Sequence, residues 1–124
     1  MRMILAIDDS KVALMQVKKY VHKIFPDCEL ISSTSPSEGI ELAKKHGNNI
    51  DLAIIDFNMK EMTGLEVLES ICDSVDINKI VICTANLQKI LEAKVTERGA
   101  RYVEKPLSQE KMNQICEEQS RKAS

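Results

Sequence analysis

Leu52-Ala53-Ile54-Ile55-Asp56 is a run of four apolar residues closed by a carboxylate, and Phe57-Asn58-Met59 follows it. A run that is apolar without alternation, and too short for a helix, predicts a strand covered on both faces. Working outward, Met3-Ile4-Leu5-Ala6-Ile7 and Ile80-Val81-Ile82-Cys83 have the same character. Cys28-Glu29-Leu30-Ile31 and the weaker Tyr102-Val103 complete a set of five strands spaced by about twenty to thirty residues.

The intervening segments change period. Leu14, Val17, Val21 and Ile24 step by three and four, as do Ile40 with Ala43, and Leu65 with Leu68 and Cys72. That spacing predicts amphipathic helices. Ser35-Pro36-Ser37-Glu38 supplies an N-cap, a proline at the first helical position and a glutamate placed for a capping box, and Thr63-Gly64-Leu65-Glu66 repeats the cap. His46-Gly47-Asn48-Asn49 ends the second helix on glycine. Strand and helix alternating five times predict an α/β domain, a parallel sheet with helices on both faces. Residues Gln119 to Ser124 are expected to fray.

At 124 residues the chain suits one domain spanning 1–124. A hydrophobic fraction of 44% with 29% charged residues excludes a disordered chain and a membrane protein. Seventeen basic against nineteen acidic residues, net −2, exclude a nucleic-acid binder driven by bulk positive charge. Cys28, Cys72, Cys83 and Cys116 form no metal-ligand spacing, and the start of the chain, Met1 to Ile7 running into Asp8-Asp9, is too short for a signal core. Reduced, mostly buried thiols in a cytoplasmic protein without membrane insertion are expected.

The polar residues at the strand ends carry the functional reading. Asp8 and Asp9 follow the first strand, Asp56 ends the third, Thr84 ends the fourth and Lys105 follows the fifth. In an open α/β sheet the carboxyl ends of the strands form the ligand crevice, so these five side chains are expected at one edge. Three carboxylates there repel one another unless a cation joins them, and a hard divalent ion, most simply Mg²⁺ with Mn²⁺ as a substitute, suits oxygen ligands. A cation, a lysine and a hydroxyl around one carboxylate are the parts that phosphoryl transfer to that carboxylate requires. Asp8-Asp9 also suits an acidic helix N-terminus, a reading that would prevail without Asp56 and Lys105 at neighbouring strand ends.

With these residues in place the sequence resembles the receiver domain of two-component response regulators, particularly the stand-alone, CheY-like chemotaxis type. The matching residues are Asp8-Asp9, Asp56-Phe57-Asn58-Met59, Gly64, Thr84-Ala85 and Tyr102-Val103-Glu104-Lys105-Pro106. The resemblance implies a flavodoxin-like, doubly wound five-stranded sheet in the order 2-1-3-4-5 with five helices. It implies Asp56 as phospho-acceptor in a Mg²⁺-dependent reaction, with a histidine kinase or histidine phosphotransfer protein as donor. Asp9, Asp56 and the backbone carbonyl of Asn58 would hold the metal, Asp8 acting largely through water. Lys105 would pair with the phosphoryl group, and Thr84 and Tyr102 would form the switch, with Ile90 and Glu104 sharing the output face. A single domain with no output domain implies a signal that leaves through a separate downstream protein, in a signalling protein rather than an enzyme.

Two departures from the family pattern stand out: Lys60 where proline is common, and a single residue, Arg101, between Gly99-Ala100 and Tyr102. Neither is expected to touch an atom of the proposed chemistry. Lys105-Pro106 admits a cis peptide. The competing classes fit less well. An aspartyl-nucleophile phosphatase wants a DxD motif on the first strand and a substrate cap. An FMN binder wants a Ser/Thr-rich loop after the first strand, and a receiver-like module that only binds would not need Asp56, Thr84 and Lys105 together.

Overall fold

A computed structural model describes residues 1–86 and 88–123. Five parallel strands, β1 (Met3–Ile7), β2 (Glu29–Ser33), β3 (Leu52–Asp56), β4 (Ile80–Thr84) and β5 (Arg101–Glu104), lie in the order β2-β1-β3-β4-β5. The helices between and after them are α1 (Lys11–Ile24), α2 (Pro36–His46), α3 (Gly64–Ile71), α4 (Lys89–Glu97) and α5 (Gln109–Ala123). This is the flavodoxin-like arrangement expected. None of the described helices is long and apolar enough to cross a membrane.

Each continuous apolar run resolves into two alternating sets. Leu5, Ile7, Ala53, Ile55, Ile80 and Ile82 join the core under α2, α3 and α4. Ile4, Ala6, Leu52, Ile54, Val81 and Cys83 join the core under α1 and α5. The period of two carries past the strand ends and assigns the polar residues to faces. Asp8 and Asp56 continue the α1/α5 set of Ala6 and Ile54, and Lys105 continues that of Val103, whereas Thr84 continues Ile80 and Ile82.

The caps form where read, except that the capping box at α2 does not close: the Ser35 N–H donates to Ser33 Oγ at 3.0 Å instead of to Glu38. Ser35 Oγ accepts from the Glu38 N–H, with Pro36 opening α2, and Gly47 ends it at φ +47°. Thr63 and Glu66 make a reciprocal capping box at α3, worth about 1 kcal/mol. At α1 the cap is Ser10, whose Oγ accepts from the Ala13 N–H, so Asp8 and Asp9 are free of that task. In the short segment before Tyr102, Gly99 turns at φ +99° and Arg101 already pairs with Val81.

Two expectations need correcting. Cys72 does not share the buried face of Leu65 and Leu68; α3 stops at Ile71, and Cys72 is the exposed C-cap. The other three thiols are buried as expected, and burial pushes Cys83 up to about 12 and Cys116 to about 11. The last turns of the chain do not fray at Gln119: α5 continues to Ala123. Arg101 holds Gln119 down, donating to Gln119 Oε1 at 2.7 Å and to the Ile115 carbonyl at 2.9 Å. Ser124 lies outside the described residues.

Candidate functional site

β1 and β3 are central neighbours, so their C-terminal ends place Asp8 and Asp56 side by side, both buried. Lys105, the residue just beyond β5 and joined to Pro106 by a cis peptide bond, bridges them. Its Nζ lies 2.7 Å from Asp8 Oδ2 and 3.1 Å from Asp56 Oδ1. Carboxylate oxygens of Asp8, Asp9 and Asp56 lie within 4.8 Å of one another. Three hard oxygen donors at that separation fit a divalent cation of the Mg²⁺ or Ca²⁺ kind.

The electrostatics follow from burial. Asp56 is held above the ordinary carboxylate range, first because burial disfavours its charge and then because Asp8 is close; Lys105 opposes both. For Lys105, burial works to lower the ammonium pKa. The hydrogen bond to Asp8 and the charges of Asp56 and Asp8 outweigh it and leave the group above its usual value.

Backbone amides hold one oxygen each of Asp8 and Asp9. Ser10 N–H donates to Asp8 Oδ1 at 2.9 Å, and Lys60 N–H donates to Asp9 Oδ2 at 3.2 Å. The second bond corrects the expectation that the Lys60 departure lies apart from the chemistry. Proline has no N–H and could not make it. The signal was in the sequence, because a residue that replaces proline restores a donor.

Gly64 fixes the position of Asp56 from the other side. Its N–H donates to the Phe57 carbonyl at 2.9 Å, and a Cβ built there would stand 2.7 Å from the Asp56 carbonyl oxygen. The first turn of α3 therefore rests directly on the backbone that carries the carboxylate.

Thr84 is fully buried, and its hydroxyl is engaged locally. Its Oγ1 donates to the Asn86 carbonyl and accepts from the Asn86 N–H, each at 3.2 Å, and Asn58 Nδ2 approaches it at 3.5 Å. Asn58 thus links the Asp56 loop to Thr84. Ile90 stands 73% exposed on α4, and Glu104 is exposed on β5 with its carbonyl accepting from Lys111 Nζ at 2.7 Å.

Tyr102 is half-buried. Its ring is not on an exposed strand face; it packs against the α2/α3/α4-side core, and its Oη is buried with no hydrogen-bond partner among the described residues. A buried hydroxyl without a partner costs about 1–3 kcal/mol. Tyr102→Phe is therefore expected to raise stability by about 1 kcal/mol, read as a higher midpoint in urea with an unchanged slope. A lower midpoint would mean that the hydroxyl is satisfied.

The chain matches the family model for the response regulator receiver domain over residues 4–117. It is 25% identical to the two-component response regulator ARR12 of Arabidopsis thaliana over 90% of this chain and 18% of that protein. It is also 25% identical to the chemotaxis protein CheY of Listeria monocytogenes over 92% of this chain and 94% of that one. The chain thus spans about a fifth of the length of the plant relative and nearly all of the bacterial one. A crystal structure of a response regulator receiver domain protein from Clostridium thermocellum has the same fold, with a TM-score of 0.86 at 24% identity, covering 99% of this chain and 98% of that one.

Proposed function

The chain belongs to the response regulator receiver domain family, and from that membership we propose that it is a phosphorylation-controlled switch of two-component signalling whose phospho-acceptor is Asp56. The observation that carries the reading is Lys105 Nζ held between Asp8 and Asp56 beside Asp9. A structural ion pair would need one carboxylate; two flanking one ammonium, with a third in reach, leave net negative charge that a divalent cation would balance, and with that ion in place the site could accept an anionic phosphoryl group.

The donor is a histidine kinase or a histidine phosphotransfer protein. As a carboxylate oxygen of Asp56 bonds to phosphorus, the phosphorus–nitrogen bond of the donor phosphohistidine breaks, and its electron pair leaves with the imidazole. Asp8, Asp9, Asp56 and the Asn58 carbonyl would hold Mg²⁺, which supplies charge neutralisation of the phosphoryl oxygens. Lys105 adds a second positive charge from the opposite strand. Thr84 can donate to a phosphoryl oxygen only by giving up its bond to the Asn86 carbonyl, so the β4–α4 turn changes when it does. α1 offers the donor a docking face: Val12 and Met15 are 64% and 69% exposed beside Lys11, Lys18 and Lys19. Output is proposed at the exposed surface of Ile90 and Glu104 beside the half-buried Tyr102, read by a separate downstream protein.

The test is incubation with acetyl phosphate and Mg²⁺ followed by intact mass. One phosphoryl adduct that maps to Asp56 supports the reading, and no adduct, or one on another residue, rejects it. The metal has its own prediction. Excess Mg²⁺ at a hundred times its dissociation constant should stabilise the fold by about 2.7 kcal/mol. The melting temperature of the native protein should rise accordingly, and the rise should shrink in Asp9→Ala; an equal rise in both would remove Asp9 from the ligand set.

A further inference from the structure

A cavity of about 420 Å³ opens beside the acidic cluster, between α1 and the sheet. Its walls are mostly apolar, with Ala13, Leu14 and Val17 from α1, Ile54 and Cys83 from the sheet, and Leu107 from the β5–α5 connection. Asp8, Asp56 and Lys105 also line it. They sit at or just beyond the strand ends, whereas Ala6 and Ile54 lie two residues deeper on the same face, so the polar groups occupy one end and the apolar walls the other. Protein interiors rarely leave room larger than a water molecule, and small-ligand sites begin at about 300 Å³ with this composition of apolar lining and few polar groups.

The charge at the polar end selects the occupant. Two carboxylates face a single ammonium, Asp9 adds a third carboxylate nearby, and Lys105 is already committed to Asp8 and Asp56 at 2.7 and 3.1 Å. With no divalent ion in place an anionic head would meet net negative charge, and a neutral apolar molecule would strip water from the carboxylates without replacing it. A bare metal ion would leave the apolar part of the space unused. We infer that the cavity binds a small amine, its ammonium head against Asp8 and Asp56 and its apolar body along Ala13, Leu14 and Val17. The inference does not require the phosphoryl reading to hold, although the head would share Asp56 with the proposed phospho-acceptor and both Asp8 and Asp56 with the metal.

The experiment is a chemical-shift titration of the whole chain with 2-phenylethylamine, with 2-phenylethanol lacking the charge and ethylamine lacking the body. The aromatic amine should bind at least about tenfold more tightly than either control, through a charge-assisted contact that the alcohol lacks and apolar burial that ethylamine lacks. Amide shifts should map to Ala13 through Val17 and to Lys105 and Leu107, and added Mg²⁺ should weaken the amine. Ala13→Leu fills the body of the cavity, and Ala85→Leu, at an exposed lining residue, fills its lip without touching the core. A folded form of either should lose binding at least about tenfold. Equal affinity for amine and alcohol, shifts mapping elsewhere, indifference to Mg²⁺, or a folded filling variant that binds as the native protein does would each overturn the inference.

Discussion

Asp56→Asn is expected to end phosphoryl incorporation and, in buffer stripped of divalent cations, to melt above the native protein. The first effect follows from chemistry: the amide keeps the shape of the carboxyl group but is no nucleophile, so labelling should fall by at least about a hundredfold. The second follows from linkage. The folded-state pKa of Asp56 lies above its value of 3.8 in the unfolded chain because burial, and then Asp8, disfavour the charge more than Lys105 favours it. A carboxyl group with a raised folded pKa favours folding while protonated. That contribution is present below the unfolded pKa and is lost as pH rises through the folded one. At neutral pH the ionised side chain therefore opposes folding, and the neutral amide removes the opposition. The gain should vanish near pH 3, where both states of the native protein are protonated. A variant that melts below the native protein at pH 7, or full labelling of the variant on another residue, would contradict the assignment.

Gly64→Ala should lower stability and slow phosphorylation together. On helix propensity alone alanine would be favoured by about 1 kcal/mol. The new Cβ, however, would stand 2.7 Å from the Asp56 carbonyl oxygen and 2.9 Å from Phe57 Cα. Both are backbone atoms, which no rotamer change can move aside, so either α3 lifts or the end of β3 shifts. Overpacking of this kind costs about 1–3 kcal/mol. Because the displaced backbone carries Asp56, labelling by acetyl phosphate should slow as well, by up to about a hundredfold for a displacement near 1 Å. Urea titration and labelling rate give the two readings. Stability at or above native with an unchanged rate would show that the contact is slack.

Much of this architecture was legible because the central strands are buried on both faces and read as unbroken apolar runs. β2 was less legible. It lies at the sheet edge and extends to Ser33, past the last apolar residue, since polar residues are tolerated where one side is open. The strand-end positions of Asp8, Asp56 and Lys105 marked the crevice, and parallel topology alone brings such residues together. Position at a strand end does not by itself decide which face of the sheet a side chain meets. Thr84 occupies the parity of Ile80 and Ile82, so its hydroxyl meets Asn86 and Asn58 rather than joining the lysine bridge directly. The inward ring of Tyr102 depends on space left by neighbouring elements, which no local pattern encodes. The cavity arises in the same way, from small side chains contributed by separate segments. Cys72 was misjudged for a simpler reason: a three-and-four spacing cannot say at which residue a helix stops.

That misjudged cysteine provides a spectroscopic handle. Thiolates, not thiols, attack maleimides, and burial keeps Cys28, Cys83 and Cys116 protonated and out of reach. Cys72 is the exposed one of the four, at the end of α3 remote from Gly64. Eight helical residues at about 1.5 Å each separate a dye there from the turn that rests on Asp56, roughly 12 Å. The native chain can thus carry one fluorophore at a defined distance from its acidic crevice, with no cysteine added or removed.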